Sequence, residues 1–151
     1  MRVGIAGAGM IVPGFLSAAA LVEQMEIYAV FARREEVRKE LCEKYQIPVG
    51  YDSYEKLLGD PKVDVVYVAL PNDLHFSFAK EALKAGKHVI LEKPFTVTYE
   101  EAKEIAEIAR EKKLYLFEAI TNQYNPNYDK MKVLLPRLGD IKLVALNFSQ
   151  Y

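Results

Sequence analysis

Three clusters of residue types in this chain are suited to chemistry, and each stands where an apolar run ends. Leu91-Glu92-Lys93-Pro94 puts a carboxylate and an ammonium at the mouth of an apolar segment. A lysine so placed can hold a hydroxyl or carbonyl oxygen and stabilise charge as a hydride moves, with Glu92 orienting it. A loop salt bridge is the competing reading. Phe31-Ala32-Arg33-Arg34 ends a second apolar segment in two cations, where an NAD-preferring domain offers a carboxylate to the ribose 2′-hydroxyl. Paired guanidinium groups suit a 2′-phosphate, so the pattern favours NADP, with NAD possible. The alternative is that both arginines begin a solvated helix and pair with Glu35 or Glu36. The third cluster, Gly7-Ala8-Gly9-Met10-Ile11, follows the alternating Val3 and Ile5. Gly7 permits a sharp turn, Gly9 lets backbone approach a pyrophosphate, and the following helix aims its unpaired N–H groups at the anion. Val12 stands where G-x-G-x-x-G has its third glycine, which predicts a helix set slightly further from the strand.

Two further strand ends add polar groups. Leu70-Pro71-Asn72 breaks an apolar run, with His75 at the start of the next helix. There the ring is open to two roles, a structural cap or a group facing a ligand. Glu118 and Asn122 follow another short run and are expected at the same crevice. His88 lies inside an apolar segment and reads as structural. Neither a Ser-His-Asp triad nor paired-carboxylate hydrolysis has support, because no nucleophile elbow or second well-placed histidine occurs.

Alternating elements must position these groups. Helical periodicity runs over 15–22, 34–45, 53–58, 75–85 and 98–113, the last opened by Thr98 and Glu101 at capping-box spacing. Apolar, strand-like runs occupy 25–31, 47–51, 63–70, 87–91 and 114–117. Strands alternating with helices at this rhythm predict an α/β fold, a doubly wound, mostly parallel sheet with ligands beyond its C-terminal edge. This dinucleotide-binding domain is expected over residues 1–120. From 121 to 151 the rhythm changes. Asn125-Pro126 opens a helix with Tyr128, Met131, Leu135 and Leu138 on one face, and a strand is predicted over 141–148 with no visible partner.

Composition excludes several classes. The chain has 151 residues, 51% hydrophobic and 27% charged, as ordinary globular domains do. With 20 basic and 21 acidic residues and a net charge of -1, nothing favours nucleic acid or an anionic membrane. No run is long enough to span a bilayer, and Met1 leads directly into the first strand, so a cytoplasmic location is expected. The single cysteine, Cys42, allows no internal disulfide and no cysteine-based metal site; on an amphipathic helix it reads as a packed thiol.

Taken together, the glycine turn, Leu70-Pro71-Asn72 with His75, Ala85-Gly86-Lys87-His88-Val89, Glu92-Lys93-Pro94 and Glu118-Ala119 resemble the Gfo/Idh/MocA oxidoreductases in order and spacing. The resemblance implies an N-terminal NAD(P)-binding Rossmann domain and a C-terminal α+β domain. It implies a dehydrogenase or reductase acting on sugars, cyclitols or related polyols. In that light Lys93 is the motif lysine beside the reacting hydroxyl, while Glu92 and Pro94 shape the cofactor loop. Gly7, Gly9, Met10, Ile11, Ala32, Arg33, Arg34, Leu70, Pro71, Asn72, His75 and Glu118 complete the expected cofactor contacts. Members of the family are more than twice this length and keep their proton-transfer histidine and aspartate in the second domain. The chain is therefore expected to bind cofactor without turning over substrate alone, and to form a homo-oligomer at full length. A nicotinamide-binding sensor or regulatory module is the alternative.

Overall fold

The computed structural model describes residues 1–147, and the chain divides into two compact units, Met1–Ala119 and a second beginning at Ile120. In the first, β1 (Arg2–Ala6), β2 (Glu26–Phe31), β3 (Val49–Tyr51), β4 (Val65–Val68), β5 (His88–Leu91) and β6 (Leu116–Glu118) alternate with helices. The helices are α1 (Ile11–Ala19), α2 (Glu35–Tyr45), α3 (Tyr54–Gly59), α4 (His75–Lys84) and α5 (Tyr99–Glu111). All five strand pairings are parallel, in the order β3-β2-β1-β4-β5-β6. The sheet therefore reverses direction of growth between β1 and β4, the place where a crevice opens in doubly wound folds.

The strands read as nearly continuous apolar runs because both sheet faces are covered. Val3, Ile5, Val30, Val65 and Tyr67 face a core shared with Val12 and Leu16 of α1 and Leu41 of α2. Ala6, Ala29, Val66, Val68, Val89 and Leu91 face the other core, closed by Leu57 of α3, Ala79, Ala82 and Leu83 of α4, and Ile105 and Ala109 of α5. Each fully buried Val, Leu or Ile contributes about 1.5–3 kcal/mol of transfer free energy. Val12 is wholly buried, so the residue in the third glycine's position serves as a core side chain on α1.

Local signals account for several boundaries. The Thr98 hydroxyl accepts from the Glu101 N–H at 3.2 Å, and the Glu101 carboxylate accepts from the Thr98 N–H at 3.2 Å, completing the expected capping box. Gly86 follows α4 with φ +80°, a left-handed position. α1 ends at Ala19 and a turn occupies the next residues, so the helix is shorter than the run to Val22 predicted.

The second unit contains α6 (Pro126–Leu134), capped by the Asn125 side chain, which accepts from the Asn127 N–H at 2.9 Å. A 3-10 turn over Leu135–Leu138 follows. Tyr128, Met131, Leu135 and Leu138 are all exposed. The strand expected over 141–148 is not formed: residues 141–147 have no regular structure, and Phe148 lies outside the described residues. An isolated extended segment has no ladder to join, and β-propensity alone does not supply one.

Candidate functional site

Four strand ends meet at one edge of the sheet. β1 runs into Gly7, whose φ of +122° is open to glycine and strained for any L side chain; a Cβ there would lie 2.2 Å from the Ala69 carbonyl oxygen. Its N–H donates to the Phe31 carbonyl at 3.0 Å, tying the turn to the end of β2. At Gly9 the nearest heavy atom to a Cβ would be 4.0 Å away. The chain's own packing leaves Gly9 free to carry a side chain, so the bare backbone is turned to the cleft. Helix α1 begins at Ile11 without a side-chain cap; the Val12 N–H donates to the Gly9 carbonyl at 3.0 Å and Pro13 carries no N–H, so the Ile11 N–H is the one its first three residues offer to an anion.

A cleft of about 730 Å³ opens over this edge. Gly7, Ala8 and Gly9 form its floor, Ala32, Arg33, Arg34 and Val37 one wall, and Leu70, Pro71, Leu74, Phe31 and Phe78 the rest. Arg33 and Arg34 are exposed, and neither forms an ion pair among the described residues. Glu35, offered above as a partner, pairs with Lys39 at 2.7 Å instead, and that ammonium holds its carboxyl below the ordinary range.

The other side of the edge is built differently. Glu92 is buried at the end of β5. One of its carboxylate oxygens accepts from the Tyr67 hydroxyl at 2.7 Å and the other from the Lys93 N–H at 3.1 Å. The Tyr67 ring stacks on Phe15 of α1 with centroids 3.8 Å apart. Burial, followed by the bond to Glu92, pushes the Tyr67 phenol well above its usual value, so it remains a donor. Glu92 thus orients Lys93 through its backbone, while the lysine side chain stays exposed and unpaired among the described residues. The Lys93–Pro94 peptide is cis.

His75 corrects the expectation of a cap or a ligand-facing ring. It is wholly buried, and α4 has no side-chain cap. Its Nδ1 lies 2.7 Å from the Pro94 carbonyl oxygen and its Nε2 2.9 Å from that of Leu70. Both nitrogens lie against backbone carbonyls, which only accept, so a ring N–H can donate to either loop and the ring is lodged between the loop after β4 and the loop after β5. Glu118 ends β6, Asn72 opens a 3-10 turn beyond β4, and Met10 and Ile11 stand at the start of α1; neither these nor Glu92, Lys93 and Pro94 line the cleft. His88 accepts from the Tyr115 N–H through Nδ1 at 3.0 Å, tying β5 to the start of β6.

Sequence reasoning missed an aromatic cluster and two further side chains. Phe31 and Phe78 pack with Tyr54 as an aromatic cluster at centroid separations of 4.4–6.2 Å and present two rings to the cleft. Arg38 donates from Nη1 to the Ala32 carbonyl at 2.8 Å. Tyr67 supports Glu92 from the neighbouring strand. The register β4–β5, with Tyr67 opposite Ile90 and Val68 opposite Leu91, is the signal that brings it there.

Cys42 is partly buried, and desolvation raises its thiol above the ordinary value. No helix among the described residues is long and apolar enough to cross a membrane.

Comparison with known proteins agrees with this architecture. Residues 1–120 match the family described as oxidoreductases with an NAD-binding Rossmann fold, GFO_IDH_MocA. The chain is 36% identical over 154 residues to a trans-1,2-dihydrobenzene-1,2-diol dehydrogenase from Sus scrofa, a match that covers 99% of the chain and 46% of that protein. It is 30% identical over 151 residues to the scyllo-inositol 2-dehydrogenase (NADP(+)) IolU of Bacillus subtilis, again with 46% of that protein covered. Among solved structures, the 3-ketoreductase KijD10 of Actinomadura kijaniata, in complex with NADP and TDP-benzene, superposes with a TM-score of 0.87 at 33% identity. The match covers 91% of this chain and 42% of that one. The chain thus spans about half the length of the relatives it matches. By its sheet order, its glycine turn and the match over residues 1–120, the chain belongs to the Gfo/Idh/MocA family of NAD-binding Rossmann-fold oxidoreductases.

Proposed function

We propose that this chain binds NADP in the cleft above β1, β2 and β4, as the nucleotide-binding part of an oxidoreductase acting on a polyol or sugar-like hydroxyl. One observation carries the reading: two exposed arginines with no ion pair among the described residues line a cleft whose floor is a glycine turn with no room for a Cβ at Gly7. An unpaired pair of cations beside such a turn suits a 2′-phosphate and offers nothing to a free hydroxyl. The uncapped start of α1, with Met10 and Ile11, faces the same need for an anion. The names of three relatives, one a dehydrogenase of a cyclic diol, one of an inositol with NADP(+) and one a ketoreductase seen with NADP, support the same class.

The residues present fit the dinucleotide. Gly7, Gly9 and the α1 N-terminus would hold its pyrophosphate, Arg33 and Arg34 its 2′-phosphate, and Ala32, Leu70 and Pro71 its adenosine. Lys93, Glu92, Pro94, Asn72 and Glu118 stand toward the nicotinamide side. A nicotinamide bound there would supply hydride-transfer chemistry. Lys93 would hold the substrate oxygen and stabilise charge on it through Nζ, with Glu92 fixing the lysine's backbone. His75 acts behind the crevice by holding Leu70 and Pro94. Residues from Thr121 onward begin the substrate domain in this reading.

Calorimetric titration with NADPH and with NADH tests it. The expected result is NADPH binding at micromolar strength and at least about tenfold more tightly than NADH, about 1.4 kcal/mol. Equal affinity for both would remove the 2′-phosphate assignment. Binding of neither would remove the cofactor reading.

A further inference from the structure

Arg38 is a third guanidinium near the cleft, one turn into α2, where its N–H donates to the Arg34 carbonyl at 3.1 Å. Its side chain turns back along the helix, half-buried, and Nη1 donates to the Ala32 carbonyl at 2.8 Å. The Ala32 N–H is also engaged, donating to the Tyr51 carbonyl of β3 at 3.3 Å. Ala32 is therefore held from both sides, and its methyl group is buried. The carbonyl that Arg38 holds belongs to the peptide joining Ala32 to Arg33. The plane from which Arg33 and then Arg34 leave the strand is thereby set by Arg38.

The neighbouring strand makes room for this arrangement. A Cβ on Gly50 would lie 3.0 Å from Arg38 Cγ and 3.2 Å from Cδ, so the arginine stem passes directly over a residue with no side chain. Charge argues for a purpose beyond packing. Arg33 and Arg34 lead into α2 and Arg38 lies in its first turn, and none of the three forms an ion pair among the described residues. Glu35 and Asp52 feel the Arg38 charge but are paired to Lys39 and Lys56.

We propose that Arg38 is a positioning residue for cofactor selectivity: by holding the Ala32 carbonyl it directs Arg33 and Arg34 toward the 2′-phosphate, and its charge backs theirs. The proposal rests on the NADP reading above and deepens it. It concerns Arg38 alone and requires no contact between that residue and the nucleotide.

The experiment is titration of the unsubstituted chain, Arg38→Met and Arg38→Lys with NADPH and NADH, with thermal unfolding of each. Methionine keeps most of the stem and removes both donor and charge. Its expected effect is a loss of about fivefold or more in NADPH affinity with NADH affinity changed less than about twofold. Lysine, which keeps the charge and one donor, is expected to recover most of that loss. A merely structural role would weaken both nucleotides together or lower the unfolding temperature without changing their ratio, and either result overturns the proposal. An unchanged ratio in Arg38→Met overturns it as well, while leaving the NADP reading intact if the unsubstituted chain prefers NADPH. Failure of the unsubstituted chain to bind either nucleotide defeats the NADP reading itself, and this proposal with it.

Discussion

The two halves of the crevice treat their polar groups in opposite ways. Beyond the end of β2, Arg33 and Arg34 are exposed and form no ion pair among the described residues. Beyond the ends of β4 and β5, His75 and Glu92 are buried, with each Glu92 carboxylate oxygen accepting a bond and each His75 ring nitrogen within 2.9 Å of a backbone carbonyl. A buried polar group must find a partner within the protein, at a cost of about 1–3 kcal/mol if it does not. A cation at the surface carries no such obligation and remains available to a ligand. Substitutions in the first half should therefore change affinity, and those in the second should change stability.

The largest effect is expected at His75. His75→Ala removes a wholly buried ring and strands two carbonyls, and thermal or urea unfolding should show a loss of about 3 kcal/mol or more. A variant as stable as the parent would end the contrast. Tyr67→Phe keeps the stack on Phe15 and deletes only the donor to Glu92. A loss of about 2 kcal/mol by urea unfolding is expected, since bonds to charged groups contribute about 1.5–3 kcal/mol. In the other half, Arg33→Ala with Arg34→Ala should weaken NADPH binding about tenfold or more, equivalent to about 1.4 kcal/mol. Stability should stay within about 0.5 kcal/mol of the parent, as at exposed sites without partners. If that pair of changes lowered the unfolding temperature as His75→Ala does, the division between halves would be wrong.

The smallest effect is a dependence on acid away from the crevice. Asp60 accepts from the Lys62 N–H at 2.8 Å and from the Tyr51 hydroxyl at 2.8 Å. The backbone bond first, and then the Tyr51 hydroxyl, hold its carboxyl below the ordinary range, while burial chiefly, and then Asp60, push the Tyr51 phenol up to about 12. With the folded value depressed, Asp60 contributes stability that is present above its unfolded value of about 3.9 and is lost as pH falls through the folded one. Asp60→Asn should flatten that part of the stability profile below about pH 4, measured by urea unfolding across pH, and leave nucleotide affinity unchanged.

Much of the fold was legible because its signals are local. Apolar runs separated by periodic helices gave the alternation, Thr98 and Glu101 marked the start of α5, and Gly7 declared a turn only glycine adopts without strain. That Arg33, Leu70 and Lys93 gather at one edge followed from the parallel sheet alone. The ties behind them were not legible. Tyr67 meets Glu92 across 25 positions and His75 meets Pro94 across 19, and such contacts depend on register between strands and on which way a loop folds back. Arg38 was hidden differently: a charged residue on a helix with few buried positions reads as solvated, although its long stem lets the head group reach backwards. The strand expected over 141–148 failed for the complementary reason, that a strand is a property of a pair.

The bond pattern of His75 also has a kinetic side. A ring joined to the carbonyls of Leu70 and Pro94 removes a degree of freedom from the mouth of the crevice, because the two loops cannot open separately without breaking one of its contacts. Their backbone amides should then share a single exchange rate in relaxation measurements. A ligand that seats on one loop would slow the other without touching it.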